Sequence, residues 1–193
     1  MNKRKLTRLE QGEVGAFLEQ FYITPRQRKT ALKWLLHGCA TVLAVVLQNV
    51  IFSRVTLLGG TMDLVPTFIL LIAILQGPGS GSVYALCASA FYCLSGAAMG
   101  QVGILTMTVG GSVLGAFRLA YFKRSFWSVG VLTALGVVLH VVIQFLLAVF
   151  LGLVTWQRFL EPVCTAVLSV LAYPAVYPLG LWLGRIGGQE WKE

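Results

Sequence analysis

The segment DLVPTFILLIAILQGPGSG, Asp63–Gly81, sets twelve almost wholly apolar residues, Leu64–Leu75, between a lone carboxylate and a cluster of glycine and proline. The apolar residues do not alternate with polar ones, so a half-buried strand is excluded and a helix apolar on every side is expected. Asp63 stands at its start, and Pro66 is tolerated in the first turn, where no partner for its missing N–H is needed. Gln76-Gly77-Pro78-Gly79-Ser80-Gly81 is expected to be a turn, with Pro78 and the glycines ending both flanking helices. The two helices on either side then form an antiparallel hairpin.

Five further apolar runs surround this one, at about Trp34–Phe52, Ser82–Ala98, Val102–Phe117, Val129–Val154 and Pro162–Leu183. The 193 residues are 57% hydrophobic and 11% charged, with a mean hydropathy of +0.80. Soluble domains carry roughly 25% charged residues, so the chain is expected in a bilayer, whose core takes about 20 apolar residues per helical span. The expected fold is an all-α integral membrane protein of six transmembrane helices over residues 31–185. A basic tail, 1–30, precedes it and a short one, 186–193, follows. The first apolar run begins too late and is too long for a cleavable signal peptide.

Charge gives the orientation. Eight of the fifteen basic residues precede the first run (Lys3, Arg4, Lys5, Arg8, Arg26, Arg28, Lys29, Lys33). Six spans put Arg118, Lys123, Arg124, Arg185 and Lys192 on the same side and leave only Arg54 and Arg158 opposite. This is the positive-inside distribution, so both termini are expected in the cytoplasm and the basic excess is assigned to topology and anionic headgroups. Nucleic acid is not an expected partner, because phosphate recognition needs basic residues gathered on one exposed face. Aromatics gather at the expected interfaces: Trp34, Tyr121, Phe122, Phe126 and Trp127 inside, Trp156 and Phe159 outside.

The tail divides at Thr24-Pro25. Leu6, Leu9, Val14, Phe17, Leu18 and Phe21 fall at roughly helical intervals and suggest an amphipathic helix on the headgroups, against the low propensity of Gly12 and Gly15. Thr24 as N-cap and Pro25 at the first helical position suggest that the first helix starts there. Small residues four apart recur at Ala40/Ala44, Gly96/Gly100, Gly111/Gly115 and Gly180/Gly184. Such pairs let helices approach closely in lipid and serve either internal packing or a partner.

Few residues carry chemistry. Asp63 is a candidate N-cap for the second span; alternatively it pairs with Arg54 across the outer loop, pinning spans 1 and 2. His37 and His140, the latter one turn before Gln144, lie within spans with no matching carboxylate or thiol, so hydrogen bonding between helices is expected rather than a metal site or proton relay. Cys39, Cys87, Cys93 and Cys164 have no C-x-x-C spacing and are expected to pack as small hydrophobes. Pro174 and Pro178 should kink the sixth span, and a broken helix can mark a substrate pocket. No catalytic motif, paired carboxylates or phosphate-binding loop is present, so no enzyme activity and no cofactor are expected.

Gln48-Asn49, Leu57-Leu58-Gly59, Asp63-Leu64 and Gln76-Gly77-Pro78, then Leu94-Ser95-Gly96 with Met99-Gly100, and Tyr177-Pro178-Leu179 near Arg185, together resemble the MreD family of bacterial rod shape-determining membrane proteins. The resemblance covers about residues 40 to 185. The chain departs from that pattern at Met62 and Ala98, where the family often has proline, and at Tyr92, where it often has an acidic residue. The resemblance implies a non-enzymatic scaffold in the cytoplasmic membrane. Its implied partners are an MreC-like protein, an MreB-like cytoskeletal protein, a RodA-type glycosyltransferase and a penicillin-binding transpeptidase, which together direct side-wall peptidoglycan synthesis. The six-helix pattern also resembles the S components of energy-coupling-factor vitamin transporters, whose coupling motif Ala40-x-x-x-Ala44 resembles. That alternative requires several polar groups converging in the outer half.

Overall fold

The computed structural model describes residues 25–96, 100–123 and 125–186, with side chains described from residue 28 to 185. The amphipathic stretch of the basic tail, the Thr24 cap, Ala98, Met99, Arg124 and the tail from 187 onward lie outside the described residues. The chain is predominantly helical: α1 Pro25–Val50, α2 Leu64–Gln76, α3 Pro78–Leu94, α4 Gly100–Tyr121, α5 Phe126–Phe150, α6 Leu160–Leu171 and α7 Tyr173–Ile186. Between α1 and α2 lies a two-stranded hairpin, β1 (Thr56–Leu57) and β2 (Gly60–Thr61), in register Thr56 to Thr61 and Leu57 to Gly60. Its turn places Leu58 at φ 49° and Gly59 at φ 87°, the paired positive φ values of a tight hairpin turn.

Helix α2 is the axis of the molecule. Every residue from Leu64 to Leu75 is buried, and α2 touches each of the other six helices. Around it, α3 neighbours α4, α4 neighbours α5, α5 neighbours α6, and α7 closes the ring against α1. A helix apolar on every face needs such enclosure, because no face can be turned to water. Glycines allow the close approach. A methyl group on Gly111 of α4 would lie 2.8 Å from Ala73 Cβ, and one on Gly136 of α5 would lie 2.7 Å from Leu114 Cδ1 and 3.2 Å from Leu70 Cδ1.

Among the described residues three helices are long and apolar enough to cross a membrane: Arg28–Arg54, which runs on from α1, then α4 and α5. Only 28–39% of their apolar windows is buried within the protein, so most of that surface requires an apolar medium outside. The pair Trp156–Leu171 and Tyr173–Arg185 would supply a fourth crossing if it is one span bent by 48°. Helix α2 is apolar but only 13 residues, about 20 Å, long.

The sixth apolar run is bent as expected of Pro174, which cannot donate the bond that would carry the helix through, and the bend is a full break into two helices at Ala172. Other expectations are corrected. The six-residue turn at Gln76–Gly81 is one residue: Gly77, at φ 86°, ends α2 and precedes α3 directly. Pro78 starts α3 at a position where a missing N–H costs nothing, so α3 begins four residues before the expected Ser82. Gly96 and Gly100 are not a packing pair. They lie at φ 76° and φ 51° with no atom within 4 Å of an added methyl, flanking the connection between α3 and α4.

Candidate functional site

One group of polar side chains, Gln48, Asp63, Thr67, Tyr92 and Ser169, collects around the start of α2, which we call the distal end; the Gly77 turn marks the proximal end. Asp63 holds the N-cap backbone position, and its carboxylate faces the Val65 N–H without forming a well-aligned cap bond. Gln48, near the end of α1, caps the Leu64 N–H. Its Oε1 accepts from Leu64 N–H at 2.7 Å, and its Nε2 donates to the Met62 carbonyl at 2.7 Å. The Asp63 N–H donates to Ser169 Oγ at 3.0 Å, while Thr67 Oγ1 donates to the Ser169 carbonyl at 3.0 Å. Helices α1 and α6 are thereby tied to two successive turns of α2.

The Asp63 carboxylate turns toward α3, where the Tyr92 hydroxyl donates to both its oxygens, at 2.9 and 3.0 Å. The alternative ion pair with Arg54 is absent: Arg54 is exposed on a 3₁₀ turn between α1 and the hairpin. Among the described residues the ion pair is Arg158 with Glu161, at 3.8 Å and exposed, where such pairs contribute little. Burial pushes the Asp63 carboxyl up to about 6, against the hydrogen bonds from Tyr92 and the Val65 N–H, which pull it down. Sequence reasoning met Tyr92 only as a departure from a family pattern. The signal was that an acidic side chain there would meet Asp63 with like charge, whereas a tyrosine donates to it.

The hairpin seals this end. A methyl on Gly60 would lie 2.6 Å from the Glu161 carbonyl oxygen and 2.8 Å from Thr165 N, so β2 runs against the α6 backbone. Pro66 is buried in the first turn of α2, as expected. At the proximal end, a methyl on Gly115 would lie 3.1 Å from the Gly77 carbonyl carbon and 3.3 Å from Pro78 N. The Gly111/Gly115 pair therefore seats α4 on the hairpin of α2 and α3. Gly180 meets Leu71 and Leu75.

His140 bonds between helices as expected, whereas His37 bonds within its own helix. His140 on α5 donates from Nδ1 to Thr106 Oγ1 on α4 at 2.7 Å, because that hydroxyl gives its own proton to the Gly103 carbonyl. His140 Nε2 then accepts from Gln144 at 2.9 Å. His37 donates to the Lys33 carbonyl at 2.7 Å and meets Tyr84 edge-on, and the Tyr84 hydroxyl donates to Thr41. No three histidine, cysteine or acidic side chains converge among the described residues.

Pro174 and Pro178 frame an aromatic stack instead of lining a pocket. Tyr173 and Tyr177 pack on Phe126 with centroids 5.1 and 4.9 Å away, and Tyr173 donates to the Phe126 carbonyl at 2.6 Å. Two apolar grooves lie elsewhere. One, about 490 Å³, runs between α1 and α3 past Trp34, Tyr84 and Phe91; the other, about 530 Å³, runs between α5 and α6 past Phe145, Trp156 and Phe159. Ala44 is buried and Ala40 half-buried, so this pair faces the core.

The chain matches no protein-family model, no curated protein and no solved structure.

Proposed function

We propose that this protein is a non-enzymatic scaffold of the bacterial cytoplasmic membrane that helps maintain rod shape by organising side-wall peptidoglycan synthesis, as its resemblance to the MreD family implies. In this reading α1, α2, α3, α4, α5 and the bent α6–α7 pair make six crossings, with both termini and the proximal end in the cytoplasm. One observation carries it. Residues on which the resemblance rests seat the central helix, Gln48 and Asp63 at its start and Gln76-Gly77-Pro78 at its end.

A helix pinned at both ends and enclosed by the others gives a rigid body whose outer faces are apolar. What such a body offers is surface on which helices of other membrane proteins can pack, which fits the MreC-like, RodA-type and transpeptidase partners implied by the resemblance. The vitamin-transporter alternative draws less support. Its coupling pair faces inward, and polar groups of the distal end are engaged in bonds to one another.

Depletion in a rod-shaped host tests the reading. Cells should round up, and wild type should restore rods and co-purify with the MreC-like protein. Normal rods after complete loss overturn the proposal.

A further inference from the structure

Arg118 is 6% exposed, in the last turn of α4. It continues the inward stripe of Gly103, Met107, Gly111, Leu114 and Gly115, the face by which α4 packs on the hairpin of α2 and α3. Its Nε has no hydrogen-bond partner, and neither does either amide atom of Gln76, the last residue of α2; all three atoms are buried. Guanidinium does not lose its proton in proteins, so Arg118 carries its charge into this site, and an unpaired buried charge is costly.

The described part of the chain offers no counter-charge there. Its two carboxylates, Asp63 and Glu161, are at the distal end, one held by Tyr92 and the other beside Arg158. Residues that are basic gather at the proximal end instead: Lys33 is buried on α1, and Lys123 and Arg185 are exposed.

At this end the neighbouring helices run on past the turn of α2 into α3. Helix α4 runs six residues beyond Gly115, whose backbone meets Gly77, to Tyr121, with the Leu119 side chain lying over Gly77; α7 runs six beyond Gly180, which meets Leu75. At 1.5 Å per residue the turn of α2 into α3 is recessed about 9 Å behind those helix ends. Helix α5, which meets Leu70 at Gly136 and starts at Phe126, reaches about 6 Å further than α2 by the same measure.

We propose that this recess is a binding site for a phosphate-type anion, in first instance the headgroup of an acidic phospholipid, with Arg118 supplying charge and Gln76 a neutral amide donor. A headgroup reaches such a depth with its acyl chains alongside the helices, and guanidinium is the side chain best matched to phosphate oxygens. Only the choice of leaflet rests on the orientation proposed above.

The test uses the full chain in neutral detergent micelles, with its melting temperature followed as phosphatidylglycerol, phosphatidylcholine or inorganic phosphate is titrated. Phosphatidylglycerol should raise it saturably and phosphatidylcholine should not. Arg118→Gln and Gln76→Leu should each weaken the lipid response, the former about tenfold or more, while Arg185→Gln should leave it unchanged. In micelles without lipid, Arg118→Gln should melt at or above wild type, because an unpaired buried charge is gone; should it fail to fold, Arg118→Lys keeps the charge, loses the planar fork and should bind weakly. An equal response to inorganic phosphate assigns the same site to a soluble anion. A response undiminished by Arg118→Gln, or diminished as much by Arg185→Gln, overturns the proposal in favour of diffuse surface charge. So does Glu190→Gln/Glu193→Gln if it destabilises the lipid-free chain while acidic lipid has no effect, since the tail then neutralises Arg118. None of these outcomes depends on cell shape, so this site and the scaffold reading can fail separately.

Discussion

Asp63 meets the positive end of the α2 dipole while its carboxylate receives the Tyr92 hydroxyl from the neighbouring helix. Truncation and isosteric replacement should therefore part company. Asp63→Ala leaves a tyrosine hydroxyl unpaired in a buried setting and should cost about 1–3 kcal/mol. Asp63→Asn keeps an acceptor for Tyr92 without a charge to bury, so it should match wild type in acid and be the more stable chain at neutral pH. Proton linkage separates them further. Because burial raises this carboxyl from its ordinary 3.8 to about 6, the folded chain holds the proton more tightly than the unfolded one. The contribution of this group is thus most favourable below about pH 4 and declines as pH rises to 6, levelling off above. Melting curves of wild type and Asp63→Asn across that range should converge toward acid and diverge toward neutrality. Parallel curves would remove Asp63 as the titrating group.

At the scale of helices, glycine spacing governs how closely α4 approaches the axis, and adjacent glycines make opposite predictions. Gly111→Ala drives a methyl to 2.8 Å from Ala73 Cβ, which belongs to a short side chain on a buried helix and cannot rotate away. It should destabilise by about 1–3 kcal/mol. Gly110→Ala puts its methyl 3.8 Å from Leu70 Cδ2, an ordinary contact, and should be neutral or stabilising by up to about 1 kcal/mol, since glycine is a poor helix former. Thermal melting of the two variants side by side checks this; equal effects would mean that α4 is not seated through Gly111. The same spacing in the sequence picked out Gly96/Gly100, which turned out to flank a connection. A four-residue interval carries meaning only inside a helix, and positive φ at both positions is invisible to periodicity. Pro78 misled for a related reason: proline and glycine mark a break without saying how many residues it takes. The helices themselves were legible because long apolar runs have few alternatives. Tyr92 and Ser169 were not, since each meets α2 across 29 and 106 residues of intervening chain, and an apolar run gives no sign of which polar member turns inward.

For the whole molecule, charge asymmetry and the ring around α2 make one joint prediction about sidedness. With α2 as a full crossing, Lys123, between α4 and α5, lies on the side of the amino terminus, whereas Thr56 in the hairpin and Gln157, before α6, lie opposite. Single cysteines at these positions, in a chain lacking its four native ones, report this through a membrane-impermeant maleimide. Cys93 is best replaced by serine, which can still donate to the Gly100 carbonyl that its thiol meets at 3.0 Å. In intact cells stripped of the outer barrier, Thr56→Cys and Gln157→Cys should label, while Lys123→Cys should label only after lysis. If the proposed crossings put Cys39 and Cys87, exposed on α1 and α3, against lipid, these native thiols should resist the charged reagent in membranes and react in denaturant. The critical comparison is Thr56 against Lys123. If α2 does not cross, the chain from the hairpin to α4 returns without traversing the bilayer, the parity of crossings changes, and the basic ends can no longer all face one compartment.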